Sequence, residues 1–169
     1  MILLSAEGTI QTLITTRAIQ VLIISIISMV TAQLIKFVVY SIRYKKPYWK
    51  LLFSTGGFPS SHTSFCIALC ISLGLFQWKE MASLDWSFAV AVVFSGITIH
   101  DAFGVRLEAS KHAIILNNLV EDLTDEERQE LGFGKKGKLK EMLGHKINEV
   151  LGGIVVGVAV GIIGFFICK

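Results

Sequence analysis

Two histidines on distant segments are the side chains of this chain best suited to covalent chemistry: His62, in Pro59-Ser60-Ser61-His62, and His145, four residues before Glu149. Spaced by four at the start of a predicted helix, His145 and Glu149 share a face and can hydrogen-bond. A carboxylate that holds one ring nitrogen fixes the tautomer and makes the other nitrogen a better nucleophile or base. A structural helix cap is the competing use of the same pair. Gly56-Gly57-Phe58 leads into the other group and an apolar helix follows it, so a flexible loop delivers two hydroxyls and an imidazole to a helix N-terminus. Unpaired backbone N–H groups and the helix dipole favour an anion there. Phosphoryl transfer through histidine needs one imidazole to attack phosphorus, a proton donor for the leaving oxygen, and cations on the equatorial oxygens. Lys36 and Arg43, seven apart and therefore stacked along one helix face, can supply such cations, as can Arg106, whose planar guanidinium matches phosphate.

The elements that must position these groups are membrane helices. With 169 residues, 53% apolar and a mean hydropathy of +0.64, the chain has more apolar content than a soluble fold needs and fits a single domain over 1–169. Apolar stretches from Ala18 to Ile42, Thr63 to Trp78, Trp86 to Val105 and Val150 to Cys168 approach the ~20 residues that cross a bilayer core. Ile2 to Thr16 is a weaker, broken segment, read as an interfacial or partly inserted helix; lacking a charged beginning, it is treated as mature protein. The expected fold is an all-α integral membrane bundle of four to five transmembrane helices, with an interfacial helix and a charged cytoplasmic loop.

Alternation of the spans puts Arg43 to His62 and Arg106 to Lys146 on one side, with most of the 16 Lys and Arg; Arg17, Lys79 and Lys169 fall on the other. The positive-inside bias makes the richer side cytoplasmic. The same alternation brings Lys36, Arg43, His62, His100, Asp101, Arg106, His145 and Glu149 to one depth. Snorkelling at helix ends explains the lone cations, but not the two histidines with their carboxylates. Leu107 to Val120 reads as an amphipathic surface helix carrying His112 and the Asn117-Asn118 pair, and 121–140 as a solvated loop, acidic then basic, with a short helix. A mobile lid is an alternative for its glycine-bearing second half.

Gly153, Gly157 and Gly161 form two overlapping G-x-x-x-G units, a ridge for close packing inside the bundle or between the subunits of a homo-oligomer. Cys66, Cys70 and Cys168 lie in apolar spans and read as packing residues, with a metal pair at Cys66 and Cys70 as the alternative. A net charge of +3 gives no reason to expect a nucleic-acid partner, and neither a Walker loop nor an H-E-x-x-H site is present.

Lys36-x6-Arg43, Pro59-Ser60-Ser61-His62 and His145-x3-Glu149 together resemble the three-part signature of the type 2 phosphatidic acid phosphatase superfamily, which includes the vanadium haloperoxidases. Gly56 to His62, Asp101-Ala102-Phe103-Gly104-Val105-Arg106, and Leu143-Gly144-His145 with Glu149-Val150 are similar to its divergent membrane branch. The resemblance extends from about Gln33 to Gly161. It implies a helical enzyme that hydrolyses without metal: His145 as the nucleophile that becomes phosphohistidine, Glu149 as its orienting group, and His62 as the donor to the leaving alcohol. Ser60, Ser61, Lys36 and Arg43 would bind phosphate oxygens. The chain departs from the pattern in having Ser61 where glycine is usual, Tyr44 after Arg43 instead of proline, and Leu139 where an arginine is expected six residues before His145. Arg106, Lys138 and Lys140 are the candidate substitutes. Asp101 and His100 are accessory candidates, Asp101 by ion pairing with Arg106 or a histidine, or alternatively by holding a divalent ion.

The expectation is therefore a lipid phosphate phosphatase acting on phosphatidylglycerophosphate or phosphatidic acid at the cytoplasmic face of the cell membrane, with no cofactor. A noncatalytic lipid-headgroup or anion-binding protein on the same scaffold and a polyprenyl (pyro)phosphate phosphatase are the rivals. A small transporter is a weaker one, because the polar residues crowd one end of the spans. Thiol labelling of single cysteines placed between 121 and 140 is expected only from the cytoplasmic side. Labelling from outside would invert the orientation and favour exported substrates.

Overall fold

The computed structural model describes residues 2–47, 49, 56–121, 123–132, 139 and 146–169, with side chains from residue 16 onward except those of 125 and 128. The described elements are all helices: α1 (Ile2–Tyr44), α2 (Ser61–Met81), α3 (Trp86–Phe103), α4 (Val105–Leu119), α5 (Asp125–Glu130) and α6 (Ile147–Cys168). Pro47 and Pro59, the chain's only prolines, lie outside the helices, where a missing N–H and a fixed φ do no harm. Among the described residues, 4 helical segments are long and apolar enough to cross a membrane: Thr16–Tyr44, Ser61–Met81, Trp86–Leu119 and Ile147–Cys168. The all-α membrane bundle expected from the sequence is present.

Two boundaries differ: the third apolar segment, expected to end at Val105, runs through α4 to Leu119, and the first begins earlier. The segment from Ile2 to Thr16 is the beginning of α1 and not a separate interfacial helix. No proline interrupts it, and a lone glycine, Gly8, lowers helix propensity by only about 1 kcal/mol. At 1.5 Å per residue α1 reaches about 64 Å, roughly twice the bilayer core.

α2 is the central helix and packs against α1, α3 and α6, while α1 and α6 also touch each other. Lipid tails are as apolar as leucine, so close backbone approach and hydrogen bonds must hold such helices together. Serines do this between α1 and α2: the Ser28 and Ser64 hydroxyls lie 2.6 Å apart, Ser28 Oγ donating to the Ser64 carbonyl at 3.1 Å and Ser64 Oγ to the Ser28 carbonyl at 3.2 Å. Between α2 and α6 the glycine ridge does it. A Cβ at Gly153 would stand 2.5 Å from the Ser60 carbonyl oxygen, and one at Gly157 would stand 2.7 Å from that of Ser64. Gly153, Gly157 and Gly161 are buried, and the atoms closest to them belong to α2 and its N-cap, so the ridge is used inside the chain. Cys70 Sγ lies 3.2 Å from Ser95 Oγ, which donates to the Cys66 carbonyl at 3.3 Å; these cysteines help join α2 to α3.

The start of α1's apolar span and the ends of α2 and α6 meet at one end of the bundle. Arg17 pairs with Glu80 at 2.5 Å, donates to the Cys168 carbonyl at 3.0 Å and lies 4.8 Å from the centre of the Phe76 ring. Val21, Ile24, Phe76 and Phe165 form a buried core beside it. Asp85 turns the chain from α2 into α3, its carboxylate accepting from the Ser87 hydroxyl, from the Ser87 and Phe88 N–H groups and from the Gln77 amide. The Ser87 hydroxyl chiefly holds the Asp85 carboxyl below the usual carboxylate range.

Gly157→Ala should force Ile67 or the Ser64 carbonyl to move and lower stability by about 1–3 kcal/mol, read as a fall in unfolding midpoint. Gly96→Ala, where no atom lies within 4 Å of the added methyl, should be neutral or stabilising. Equal effects of the two substitutions would contradict the packing described.

Candidate functional site

The end of α1, the turn before α2 and the start of α6 meet opposite the Arg17 end, about 28 Å away along α1 from Arg17 to Lys36. Gly57 adopts φ +99°, a left-handed conformation suited to glycine. Its backbone lies so close to α1 that a Cβ would be 3.2 Å from the Tyr40 hydroxyl and 3.4 Å from Lys36 Cδ. Phe58 leans on α6, where a Cβ at Gly152 would overlap its ring at 2.4 Å. Ser60 then caps α2, its Oγ accepting from Thr63 N–H at 3.3 Å and from the Thr63 hydroxyl at 2.9 Å.

Glu149 joins this turn to α6 twice. Its carbonyl oxygen accepts from Ser60 N–H at 2.8 Å, and its carboxylate Oε2 accepts from Gly57 N–H at 3.3 Å. Lys36, a side chain with 0% exposure, brings its Cδ to the same glycine, so Lys36 and the Glu149 carboxylate both border Gly57. An enclosed lysine in a membrane helix needs a counter-charge and hydrogen bonds, and Glu149 is the carboxylate that meets the same turn. The fold brings Lys36, the Pro59–His62 turn and Glu149 into one locality.

Within that locality the residues divide by exposure. Ser60 and Ser61 are buried, at 0% and 2%, and Ser60's hydroxyl oxygen serves the helix cap. His62, in the first turn of α2, is exposed, and so is Arg43, two turns beyond Lys36 near the end of α1. Lys36 therefore belongs to the wall of the site and His62 to its open side. The spacing argument overlooked Tyr40. It lies four residues after Lys36 on the same face, and its hydroxyl is the atom nearest Gly57's missing methyl.

Asp101 and Arg106 form an ion pair with each other across the α3–α4 break, both partly exposed. Ion pairing was one of the uses expected for Asp101. Gly96, Ile97, His100, Asp101 and Val105 line an open cavity of about 400 Å³ beside the pair. The helix carrying Arg106, α4, packs on α3 alone among the described elements. Among the described residues no group of three or more His, Cys, Asp or Glu is placed to hold a metal ion. His145 and Lys140 lie outside the described residues, as does most of 133–145. Leu139, which occupies the position of the expected arginine, is described: its side chain is exposed and its backbone is bound by Asn117.

Comparison with known proteins agrees with this architecture. Residues 18–160 match the Divergent PAP2 family. The uncharacterized membrane protein YuiD of Bacillus subtilis (strain 168) is 38% identical over 144 residues, which cover 81% of this chain and 88% of that protein. No solved structure matches. The match takes in Lys36, the Pro59–His62 turn and Glu149, and the chain belongs to the Divergent PAP2 family.

Proposed function

We propose that this membrane protein is a phosphatase of lipid phosphate monoesters, working through a phosphohistidine at the cytoplasmic face. The observation that carries the reading is the union of the Gly57–His62 turn with Glu149 beside the enclosed Lys36. It joins an imidazole on a helix N-terminus, an enclosed lysine and the start of the helix that His145 precedes.

In the proposed reaction, a His145 ring nitrogen attacks phosphorus, forming a P–N bond as the P–O bond to the lipid alcohol breaks. His62, as imidazolium, gives its proton to the departing alkoxide oxygen. Water then attacks the phosphohistidine, His62 takes the water's proton, and inorganic phosphate leaves as His145 regains its lone pair. Glu149 orients His145, while Lys36, Arg43 and the backbone N–H groups at the start of α2 offset charge on the phosphoryl oxygens. The acyl chains stay in the bilayer. Phosphatidylglycerophosphate is slightly favoured over phosphatidic acid, because a cytoplasmic site suits a lipid made in that leaflet.

A second reading, headgroup binding without turnover, has its own support. Leu139 offers no cation where the superfamily signature has arginine, and Ser60's hydroxyl is engaged in capping.

Purified full-length protein in mixed micelles is expected to release phosphate from phosphatidylglycerophosphate or phosphatidic acid. His145→Ala should reduce release to the micelle background, and His62→Ala should lower kcat by about 10²–10⁴-fold. A polyprenyl pyrophosphate in the same panel separates the exported-substrate alternative. Equal release by wild type and both variants would reject the mechanism. Tight binding of these lipids without phosphohistidine or phosphate release would establish the second reading.

Lys36→Met should lower kcat/KM by about 100-fold, equivalent to about 2.7 kcal/mol of transition-state stabilisation. Unchanged kinetics would remove Lys36 from the site.

A further inference from the structure

The cavity of about 400 Å³ on the α3–α4 flank takes its lining from those two helices: Gly96, Ile97, His100, Asp101 and Val105. It shares no residue with the Gly57 turn, Lys36 or Glu149. The Trp86–Leu119 segment has 17% of its apolar window buried, the lowest share of the four spans, so bilayer lipid is the neighbour this flank meets. Trp86, at the start of α3, is 78% exposed and suits the interface at that end. Counted from it at about 1.5 Å per residue, Gly96 lies about 15 Å along, Asp101 about 22 Å and Arg106 about 30 Å, the thickness of the hydrocarbon core. The cavity therefore runs from mid-bilayer toward the headgroup layer.

Its chemistry changes along the same direction. Gly96 and Ile97 make the deep end apolar, whereas His100 and Asp101 bring polar groups to the outer end, with Val105 adding apolar surface there and Arg106 beside it. Asp101 and Arg106 pair through Oδ2 and Nε. Oδ1 and both Nη nitrogens stay outside that bond, on side chains 37% and 60% exposed. Charges left open on a lipid-facing flank are costly unless a polar partner meets them. Gly96 supplies an independent observation. Glycine weakens a helix interior, and at Gly153 and Gly157 its small size admits α2. At Gly96 no atom lies within 4 Å of where a Cβ would stand, so the room it leaves belongs to the cavity and not to a neighbouring described helix.

We propose that this cavity binds a bilayer phospholipid: its phosphodiester meets the Arg106 Nη groups, a hydrogen-bond-donating headgroup meets Asp101, and the adjoining chain lies along Ile97 and Gly96. The charges are complementary from end to end. A guanidinium fork matches a pair of phosphate oxygens, and a carboxylate accepts from an ammonium or from hydroxyls. Phosphatidylethanolamine and phosphatidylglycerol both offer that combination, whereas phosphatidylcholine has the phosphate without the donor. The site is independent of the phosphatase reading, and no bond is made or broken in it.

The test is native mass spectrometry of delipidated full-length protein, titrated with each of these three lipids at matched acyl chains. Phosphatidylethanolamine, phosphatidylglycerol or both should bind about tenfold more tightly than phosphatidylcholine. Gly96→Leu, which places a side chain in the deep end, and Arg106→Gln, which removes the fork, should each reduce that binding to the phosphatidylcholine level at an unchanged unfolding midpoint. Gly96→Ala adds a methyl alone and should stay within about twofold of wild type. Asp101→Asn separates the headgroups: a loss for phosphatidylethanolamine assigns the carboxylate to an ammonium, and a loss for phosphatidylglycerol assigns it to hydroxyls. Equal binding of all three lipids by wild type would overturn the proposal, as would unchanged binding in Gly96→Leu and Arg106→Gln, or in Asp101→Asn for both lipids. A lipid-free wild-type dimer that Gly96→Leu dissociates would also overturn it, because a second copy of the chain would then fill the cavity.

Discussion

Glu149 is the group on which the polar end of the bundle depends. Non-helical backbone near membrane depth must have its N–H and C=O groups satisfied by protein, and an enclosed ammonium must face an opposite charge. One residue bears on both demands. Its carbonyl takes the Ser60 N–H, and its carboxylate takes the Gly57 N–H. Lys36 and Glu149 both border Gly57, so the enclosed lysine and the irregular turn share one carboxylate's neighbourhood.

Glu149 reaches the turn because α2 and α6 approach closely. The approach depends on the absence of side chains at Gly152, Gly153 and Gly157, where Phe58, the Ser60 carbonyl and the Ser64 carbonyl occupy the space that methyl groups would fill. Serine hydroxyls hold α1 against α2 in the same interior, and Arg17 ties α1, α2 and α6 at the opposite end. With both ends of the three helices held by polar groups, sliding of α6 along α2 would break the Arg17 contacts and the Glu149 contacts together. The chemistry assigned to this end thus rests on small residues along the α2–α6 contact as well as on its charged groups.

α3 and α4 form a more exposed flank. Their break at Gly104 carries the Asp101–Arg106 pair, which spends Arg106's charge on a neighbouring carboxylate. Among the described residues, this flank touches the connection before α6 through Asn117. In this member of the Divergent PAP2 family, the position that the superfamily signature fills with an arginine side chain is held by its backbone.

The helical membrane class, the starts of the four spans within a few residues and the gathering of Lys36, His62 and Glu149 at one end of the bundle were legible in the sequence. Apolar length and the alternation of spans are local properties, and span alternation fixes the order of helix ends along the membrane normal. Depth, however, says nothing about direction around a helix axis. Only the tertiary structure enclosed Lys36 while leaving His62 and Arg43 exposed, turned Ser60 to capping, brought Tyr40 to Gly57 and joined Asn117 to Leu139. Those outcomes depend on which faces meet, and that was settled by glycine and serine contacts between residues far apart in the chain, which no pattern within a single helix encodes.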